Sequence, residues 1–284
     1  MTSDTDRDLV TELVHHPYVP PAGFGAVPPG VYKASTVTFA NVAALRSRSW
    51  KSREGYTYGL HGTPTTFTLE ERLATLEGGR HCVLAPSGLA AITMVDAALL
   101  RQGDEVLLPD NVYGPSKELA RTLLADWGIA HRLYDPLDAG GLAAMIGPRT
   151  RLVWLEAPGS VTMEFPDLGG LVAAARDRGV ITALDNTWGA GVAFRAFDFG
   201  VDIVMHALTK YPSGGADVLM GSVVTRDEAL HHRILQAHGR LGLGVGANDV
   251  ELVLRSLPTV ALRYHAHDRA ARELATWLQA QPAV

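Results

Sequence analysis

Apolar runs alternate with helix-patterned segments between residues 117 and 179, and this alternation leaves few folds open to the chain. Its pattern predicts helices over residues 117–127, 137–146 and 168–178, and short strands over residues 130–134 and 152–155. Strands that alternate with helices pair in parallel, because each helical connection crosses one face of the sheet. The chain is therefore predicted to be an α/β protein with a mostly parallel central sheet and helices on both faces.

The bulk composition is that of an ordinary globular protein and disfavours several classes of partner. Of the 284 residues, 47% are hydrophobic and 19% are charged, so the chain can bury a substantial core. The formal net charge is −5 and no basic block is present, which disfavours nucleic acid and anionic membranes and favours a small-molecule substrate. The single cysteine, Cys82, lies in an apolar run and is expected to be a small core residue.

Two residues in the stretch from 183 to 211 carry most of the chemical information. Asp185 closes an apolar run of the length of a buried strand, and Lys210 lies in a loop after the next apolar run. Ligands of α/β proteins gather where strands end, so this acid and this lysine can share one pocket. A lysine amine can bond to the aldehyde of pyridoxal phosphate, and a carboxylate can keep its pyridine nitrogen protonated. The pair suits that cofactor, although an aspartate and a lysine at this separation also occur together by chance.

The residues around this pair resemble a known family. Residues 185–188, 197–202 and 209–211 read DNTW, FDFGVD and TKY, and together they resemble the Cys/Met-metabolism family of fold-type I pyridoxal-phosphate enzymes. The resemblance implies an aspartate-aminotransferase-like large domain in which Asp185 partners the ring nitrogen. It implies that Lys210 is the catalytic lysine and that Thr209 also contacts the cofactor. We expect burial and cofactor bonding to distinguish Lys210 from an ordinary surface amine.

A second constellation follows the strand predicted at residues 82–85. Ser87 is a favourable N-cap and Gly88 permits close backbone approach, so the amides at the start of the following helix can bind an anion. Taken in isolation, the segment fits a plain capped helix better than an anion site. Its match to the phosphate motif of the family favours Ser87, Gly88 and Leu89 as ligands of the cofactor phosphate.

Two loop tyrosines are further candidates through the same resemblance. Tyr113 follows a predicted strand, and its counterpart in the family stacks on the cofactor ring near the reacting atoms, which implies a catalytic and a cofactor-binding role. The counterpart of Tyr58 reaches the cofactor phosphate of a neighbouring subunit, so the active site would be shared between subunits. Many family members carry arginine where Leu60 stands, and whether His61 replaces that phosphate ligand is left open. The helix after this loop is expected to begin at a capping box of Thr68 and Glu71.

Two loops favour one reaction within the family. Residues 156–164, which read EAPGSVTME, resemble the β-lyase form of a loop that usually contains Asn-Pro in γ-synthases and γ-lyases, and Trp188 points the same way. The resemblance implies a carbon–sulfur β-lyase that cleaves cystathionine to homocysteine, pyruvate and ammonia. The alternatives are a γ-type relative, either a cystathionine γ-synthase or a γ-lyase, and a non-catalytic remnant that binds the cofactor. A generic aminotransferase is disfavoured by the same loops, and no metal site is assigned.

The chain is predicted to have three parts. These are an extended N-terminal arm over residues 1–55, a pyridoxal-phosphate-binding large domain over residues 56–257 and a connecting helix over residues 258–284. The resemblance implies that a smaller C-terminal domain of about a hundred residues follows, largely absent from this sequence, and supplies the arginine that binds the substrate carboxylate. Arg255 and Arg263 match that arginine only in residue type.

The remaining expectations concern the N-terminal region, the assembly and the location. Residues 31–39 resemble a segment near the start of family members, with an alternating edge strand as the other interpretation. The resemblance implies a homotetramer built as a dimer of dimers. Residues 1–8 are acidic and lack an apolar core, so we expect neither a signal nor a transit peptide and place the protein in the cytoplasm.

Overall fold

The structure, a computed structural model, describes residues 9–51 and 55–284. Within these ranges the strands are β1 (His81–Ala85), β2 (Glu105–Pro109), β3 (Ala130–Tyr134), β4 (Thr150–Glu156), β5 (Ile181–Asp185), β6 (Ile203–His206) and β7 (Gly221–Thr225). They form one sheet in the order β1-β7-β6-β5-β4-β2-β3. Strand β7 runs antiparallel to both of its neighbours, and the other pairs are parallel. The predicted mostly parallel sheet is confirmed.

Helices precede, connect and follow the strands. They are α1 (Leu9–Val14), α2 (Val42–Ser47), α3 (Pro64–Glu77), α4 (Gly88–Leu99), α5 (Gly114–Leu119), α6 (Ala139–Met145), α7 (Leu168–Arg176), α8 (Glu228–Leu241), α9 (Ala247–Ser256) and α10 (Val260–Gln279). Helix α5 continues as a π-helical turn over Ala120–Leu124, and short 3-10 turns lie at Gly59–His61, Ala196–Phe199 and Leu257–Thr259. No helix in these described ranges is long and apolar enough to cross a membrane.

An apolar core lies on each face of the sheet. Along β4, Val153 and Leu155 pack into one core with α3, α6, α7 and α9, whereas Leu152 and Trp154 pack into the other with α4 and α8. Successive side chains of a strand point to opposite faces, and helices on both faces bury them all. Cys82 of β1 is buried in the first core, as predicted.

The start of α3 differs from the prediction. The Thr63 hydroxyl accepts a hydrogen bond from the Thr66 amide at 3.3 Å, and the Thr66 hydroxyl accepts one from the Thr63 amide at 2.7 Å. Thr68 lies inside the helix, where its hydroxyl donates to the carbonyl of Pro64 at 2.8 Å. The predicted cap at Thr68 with Glu71 is therefore wrong. Pro64 is the first residue of the helix, a position where proline is favoured. The helix therefore begins about one turn earlier than predicted.

The N-terminal region contains more local structure than an extended arm. Leu13 of α1 is buried against the core that contains α3, and α2 is a short exposed helix. Residues 31–39, all of them described, form no strand, so the edge-strand interpretation is wrong. The acidic residues 1–8, on which the leader-peptide expectation rests, lie outside the described residues. The three-part division of the chain stays a prediction.

Candidate active site

The carboxyl ends of the parallel strands β2 to β6 lie at one edge of the sheet, and most of the predicted residues lie near this edge. Asp185 is the last residue of β5, and Glu156 is the last residue of β4 and its partner in register. Asp185 also pairs in register with Met205 of β6. The side chains of Asp185 and Glu156 are 7% and 3% exposed, so two buried carboxyl groups end neighbouring strands.

The surroundings of Asp185 suit a cationic partner. The Thr187 amide donates to its Oδ1 at 3.0 Å. Burial raises the pKa of Asp185 most, and the nearby Glu77 carboxylate raises it further, whereas Thr187 and His206 lower it. A buried carboxylate is stable when it is paired with a positive charge. The site therefore fits a protonated ring nitrogen at Asp185.

Lys210 lies in the turn that follows β6, next to the Asp185 segment. Its amide donates to the carbonyl of Ala207 at 3.1 Å, and the amide of Ala207 donates to the Thr187 hydroxyl at 2.9 Å. Thr187 thus links the loop after Asp185 to the turn that carries Lys210. The Lys210 side chain is exposed, whereas Leu208 and Ser213 of the same turn are buried. The expected burial is therefore wrong for this chain by itself, because Lys210 lies on the solvent side of its turn.

The start of α4 packs against the same turn. Ser87 caps the helix by accepting a hydrogen bond from the Ala90 amide at 3.0 Å, as predicted. A Cβ atom at Gly88 would lie 2.9 Å from the Ala207 Cβ and 3.2 Å from the Met205 Cε, so only glycine permits this approach. Amides at the start of this 12-residue helix are suited to an anion such as a phosphate group. The structure thus places the helix start against Ala207, three residues before Lys210.

Tyr113 joins this group through its backbone. Its amide donates to Glu156 Oε2 at 2.8 Å, and the Ser160 hydroxyl donates to Glu156 Oε1. Burial, and next the Asp185 carboxylate, raise the pKa of Glu156 to about 7. The Tyr113 side chain is 44% exposed at the start of α5. Glu156 therefore holds the Tyr113 loop and the loop after β4 beside Asp185.

Two predicted residues have other contacts. The Thr209 hydroxyl lies 3.3 Å from both the amide nitrogen and the carbonyl oxygen of Met220, so it joins the turn to the segment before β7. Tyr58 stands before the turn Gly59–His61, a segment that lines a cavity with β1 and α8, three strands away from β5. Its ring is 46% exposed and contacts the ring of His61 edge to face. Tyr58 therefore lies apart from Asp185 within one chain.

His61 is poorly suited to replace the arginine that is absent at Leu60. Its Nδ1 lies 3.0 Å from the Thr57 hydroxyl, and its ring lies near the ring of Trp50. Burial lowers the pKa of His61, which favours the neutral imidazole over the cation that a phosphate group would attract.

Sequence reasoning left Glu77, Glu156 and His206 without a role. Asp185 was identified because it is a polar residue at the end of an apolar strand. The same rule applies to Glu156 and to His206. No comparable signal marks Glu77, since it ends a helix and lies 129 positions before His206, to which it is hydrogen-bonded.

Comparison with known proteins gives consistent matches over nearly the whole chain. A family model described as Cys/Met metabolism PLP-dependent enzyme matches residues 10–284. A cystathionine beta-lyase of Bordetella avium is 38% identical over 289 residues, covering 99% of this chain and 72% of that protein. An L-methionine gamma-lyase of Pseudomonas putida is 35% identical over 278 residues, covering 97% of this chain and 70% of that protein. The crystal structure of a cystathionine gamma synthase of Xanthomonas oryzae pv. oryzae with cystathionine matches with a TM-score of 0.90 and 32% identity, covering 98% of this chain and 70% of that one.

Proposed function

The chain belongs to the Cys/Met metabolism family of pyridoxal-phosphate-dependent enzymes, and we propose that within it the chain is a β-lyase that cleaves cystathionine. The products are homocysteine, pyruvate and ammonia. The observation that carries the choice is the loop over residues 156–164, whose sequence resembles the β-lyase form. Its Ser160 bonds Glu156 beside Asp185, so this loop borders the site. The Bordetella avium relative bears the same activity in its name.

The proposed cofactor contacts use the residues gathered at the strand ends. Ser87, Gly88 and Leu89 hold the phosphate at the start of α4, where free amides and the helix dipole favour an anion. Thr209 adds a hydroxyl, which can donate to the phosphate when it releases the Met220 carbonyl. Asp185 faces the ring nitrogen and keeps it protonated.

The proposed proton transfer belongs to Lys210. Pyridoxal phosphate, when bound, supplies an electron-accepting ring adjacent to the substrate Cα. The Lys210 Nζ would hold the cofactor through its aldehyde group, and the same nitrogen, once free, would take the proton from the substrate Cα. Tyr113 would stack its exposed ring on the cofactor ring, which would bring its phenol near the reacting atoms. Charged Asp185 maintains the electron-accepting form of the ring throughout.

The proposed assembly is an oligomer with shared active sites. Tyr58 is exposed and lies apart from Asp185 of its own chain, as expected of a residue that serves a neighbouring subunit. We place it on the cofactor phosphate of that neighbour, in a homotetramer arranged as a dimer of dimers. The proposed location is the cytoplasm.

A γ-type activity is the second candidate. The Pseudomonas putida relative is named for γ-elimination from methionine, and the Xanthomonas oryzae structure is that of a γ-synthase. The keto acid released from cystathionine separates the two, because β-cleavage releases pyruvate and γ-cleavage releases 2-oxobutyrate.

The direct test of the proposed function is Lys210→Ala. The wild type should acquire the visible absorbance of lysine-bound pyridoxal phosphate, and the variant should lose that band together with at least about 10³-fold of its lyase activity. Lys33→Ala, at another exposed lysine, serves as the control and should keep both. Lyase activity that survives in Lys210→Ala would sink the assignment.

A further inference from the structure

Glu77, the last residue of α3, places a carboxylate in the interior beneath the active site. Its side chain is fully buried, and that of His206 is 1% exposed. Glu77 Oε2 accepts a hydrogen bond from the side-chain amide (Nδ2) of Asn186 at 2.9 Å, and Glu77 Oε1 lies 2.9 Å from His206 Nδ1. Because a carboxylate only accepts, the hydrogen of the second bond belongs to His206 Nδ1.

The two partners of Glu77 lie on the two segments that carry the reactive groups. Asn186 directly follows Asp185. The backbone amide of Asn186 donates to the Met205 carbonyl at 2.9 Å. His206 ends β6 and leads into the turn that carries Lys210. One carboxylate therefore joins the segments at the ends of β5 and β6, which the bond between Thr187 and Ala207 also joins.

The position of Glu77 is energetically unfavourable for a carboxylate. The last turn of a helix carries partial negative charge, and α3 ends at Gly78 in the left-handed conformation with a φ of 72°. Burial adds a desolvation cost, and a buried ionic pair seldom stabilises a fold more than apolar side chains of the same size. Fold stability alone therefore does not explain this choice of residue.

We infer that Glu77 is a positioning residue that fixes Asp185 in the orientation required to bind the cofactor ring, acting through its bonds to Asn186 and His206. The inference rests on the proposed function, because it concerns the same cofactor. The groups that face Asp185 are Glu77 from α3, His206 from β6 and Glu156 from β4. Glu77 alone among these three bonds both segments.

The experiment measures pyridoxal phosphate binding to full-length variants by protein fluorescence and by the visible band, independently of turnover. Glu77→Gln keeps the shape but removes the negative charge and replaces one acceptor by a donor, so the bond to His206 remains only if the ring hydrogen moves from Nδ1 to Nε2. We expect its dissociation constant for pyridoxal phosphate to rise about tenfold or more and the visible band to shift.

Glu105→Gln is the matched control. Glu105 is also a buried carboxylate, bonded to Arg132 and Thr150, but it begins β2 at the opposite end of the sheet. The Glu105→Gln variant should be less stable than the wild type. Its dissociation constant for pyridoxal phosphate should stay within about twofold of the wild-type value, since distant sites act independently. Should Glu77→Gln fail to fold, Asn186→Ala removes the amide from the same bond and should weaken binding in the same way.

A double-mutant cycle with Asp185→Asn separates positioning from mere stability. If Glu77 acts through Asp185, Glu77→Gln should change the dissociation constant by less than about twofold in the Asp185→Asn background. Additive effects, or unchanged binding in Glu77→Gln, would overturn the inference. A wild type that binds no pyridoxal phosphate would instead reject the proposed function.

Discussion

Asp185 and Glu77 show what sequence can predict about single residues and what it cannot. Asp185 follows from a local pattern, since a short apolar run that ends in an acid places the acid at a strand end. Glu77 acts on Asn186 over 109 positions and on His206 over 129 positions. Such contacts arise only from the order of the strands, which a local pattern does not contain. The exposure of Lys210 depends likewise on what packs over its turn.

Another buried acid, Asp96, should make the stability of the fold depend on pH. Asp96 of α4 is 2% exposed and accepts a hydrogen bond from Trp154 Nε1 at 2.9 Å. Burial raises its pKa from 3.8 to about 7, so the folded chain holds a proton there that the unfolded chain releases. This contribution to stability is complete below the unfolded pKa and is lost as the pH rises through the folded one.

We therefore expect Asp96→Asn to flatten the pH dependence of stability. As the pH rises from about 4 to about 7, ionisation of Asp96 in the unfolded chain should lower the free energy of unfolding by up to about 1.4 kcal/mol per pH unit. The variant should lack this decrease. Urea unfolding at pH 5 and at pH 8 measures the difference, with the exposed Asp126→Asn as the control. An equal drop in the variant and the wild type would show that Asp96 is ionised throughout.

At the scale of elements, the close approach of α4 to the turn after β6 defines the proposed phosphate site. Gly88→Ala adds a methyl group 2.9 Å from the Ala207 Cβ, so the helix start and the turn must move apart. We expect the affinity for pyridoxal phosphate to fall about tenfold, since overpacking by one methyl group costs about 1–3 kcal/mol. Equilibrium binding followed by the visible band measures the change.

The control for this prediction is Gly114→Ala, at the first residue of α5. A Cβ there meets no atom within 4 Å, so the substitution should leave binding unchanged. Equal binding by Gly88→Ala and the wild type would mean that the start of α4 does not hold the phosphate.

The elements themselves were predictable to different degrees. Buried strands of the mostly parallel sheet are short apolar runs, and each predicted run between residues 82 and 205 corresponds to a strand. The cap of α3 was misplaced because Thr66 replaces the usual glutamate or glutamine of a capping box. The antiparallel direction of β7 has no local signature, because an apolar strand reads the same in either direction.

At the scale of the whole molecule, the strand order explains how distant residues form one site. Strands β2, β4, β5 and β6 end at one edge, so Tyr113, Glu156, Asp185 and Lys210 meet although nearly a hundred positions separate the first from the last. Tyr58 lies on the β1 side, which is consistent with the proposed sharing of sites between subunits. The fold thus places the other proposed cofactor-binding residues near one edge of the sheet, whereas Tyr58 lies apart from them.

The identity of the keto acid formed from cystathionine decides whether the proposed β-lyase reaction takes place. The full chain is incubated with pyridoxal phosphate and cystathionine, and the keto acids are separated by chromatography. We expect pyruvate in equal amount to homocysteine. Release of 2-oxobutyrate would assign the chain to the γ-type enzymes, and bound cofactor without any keto acid would show that the chain binds pyridoxal phosphate but is not a lyase.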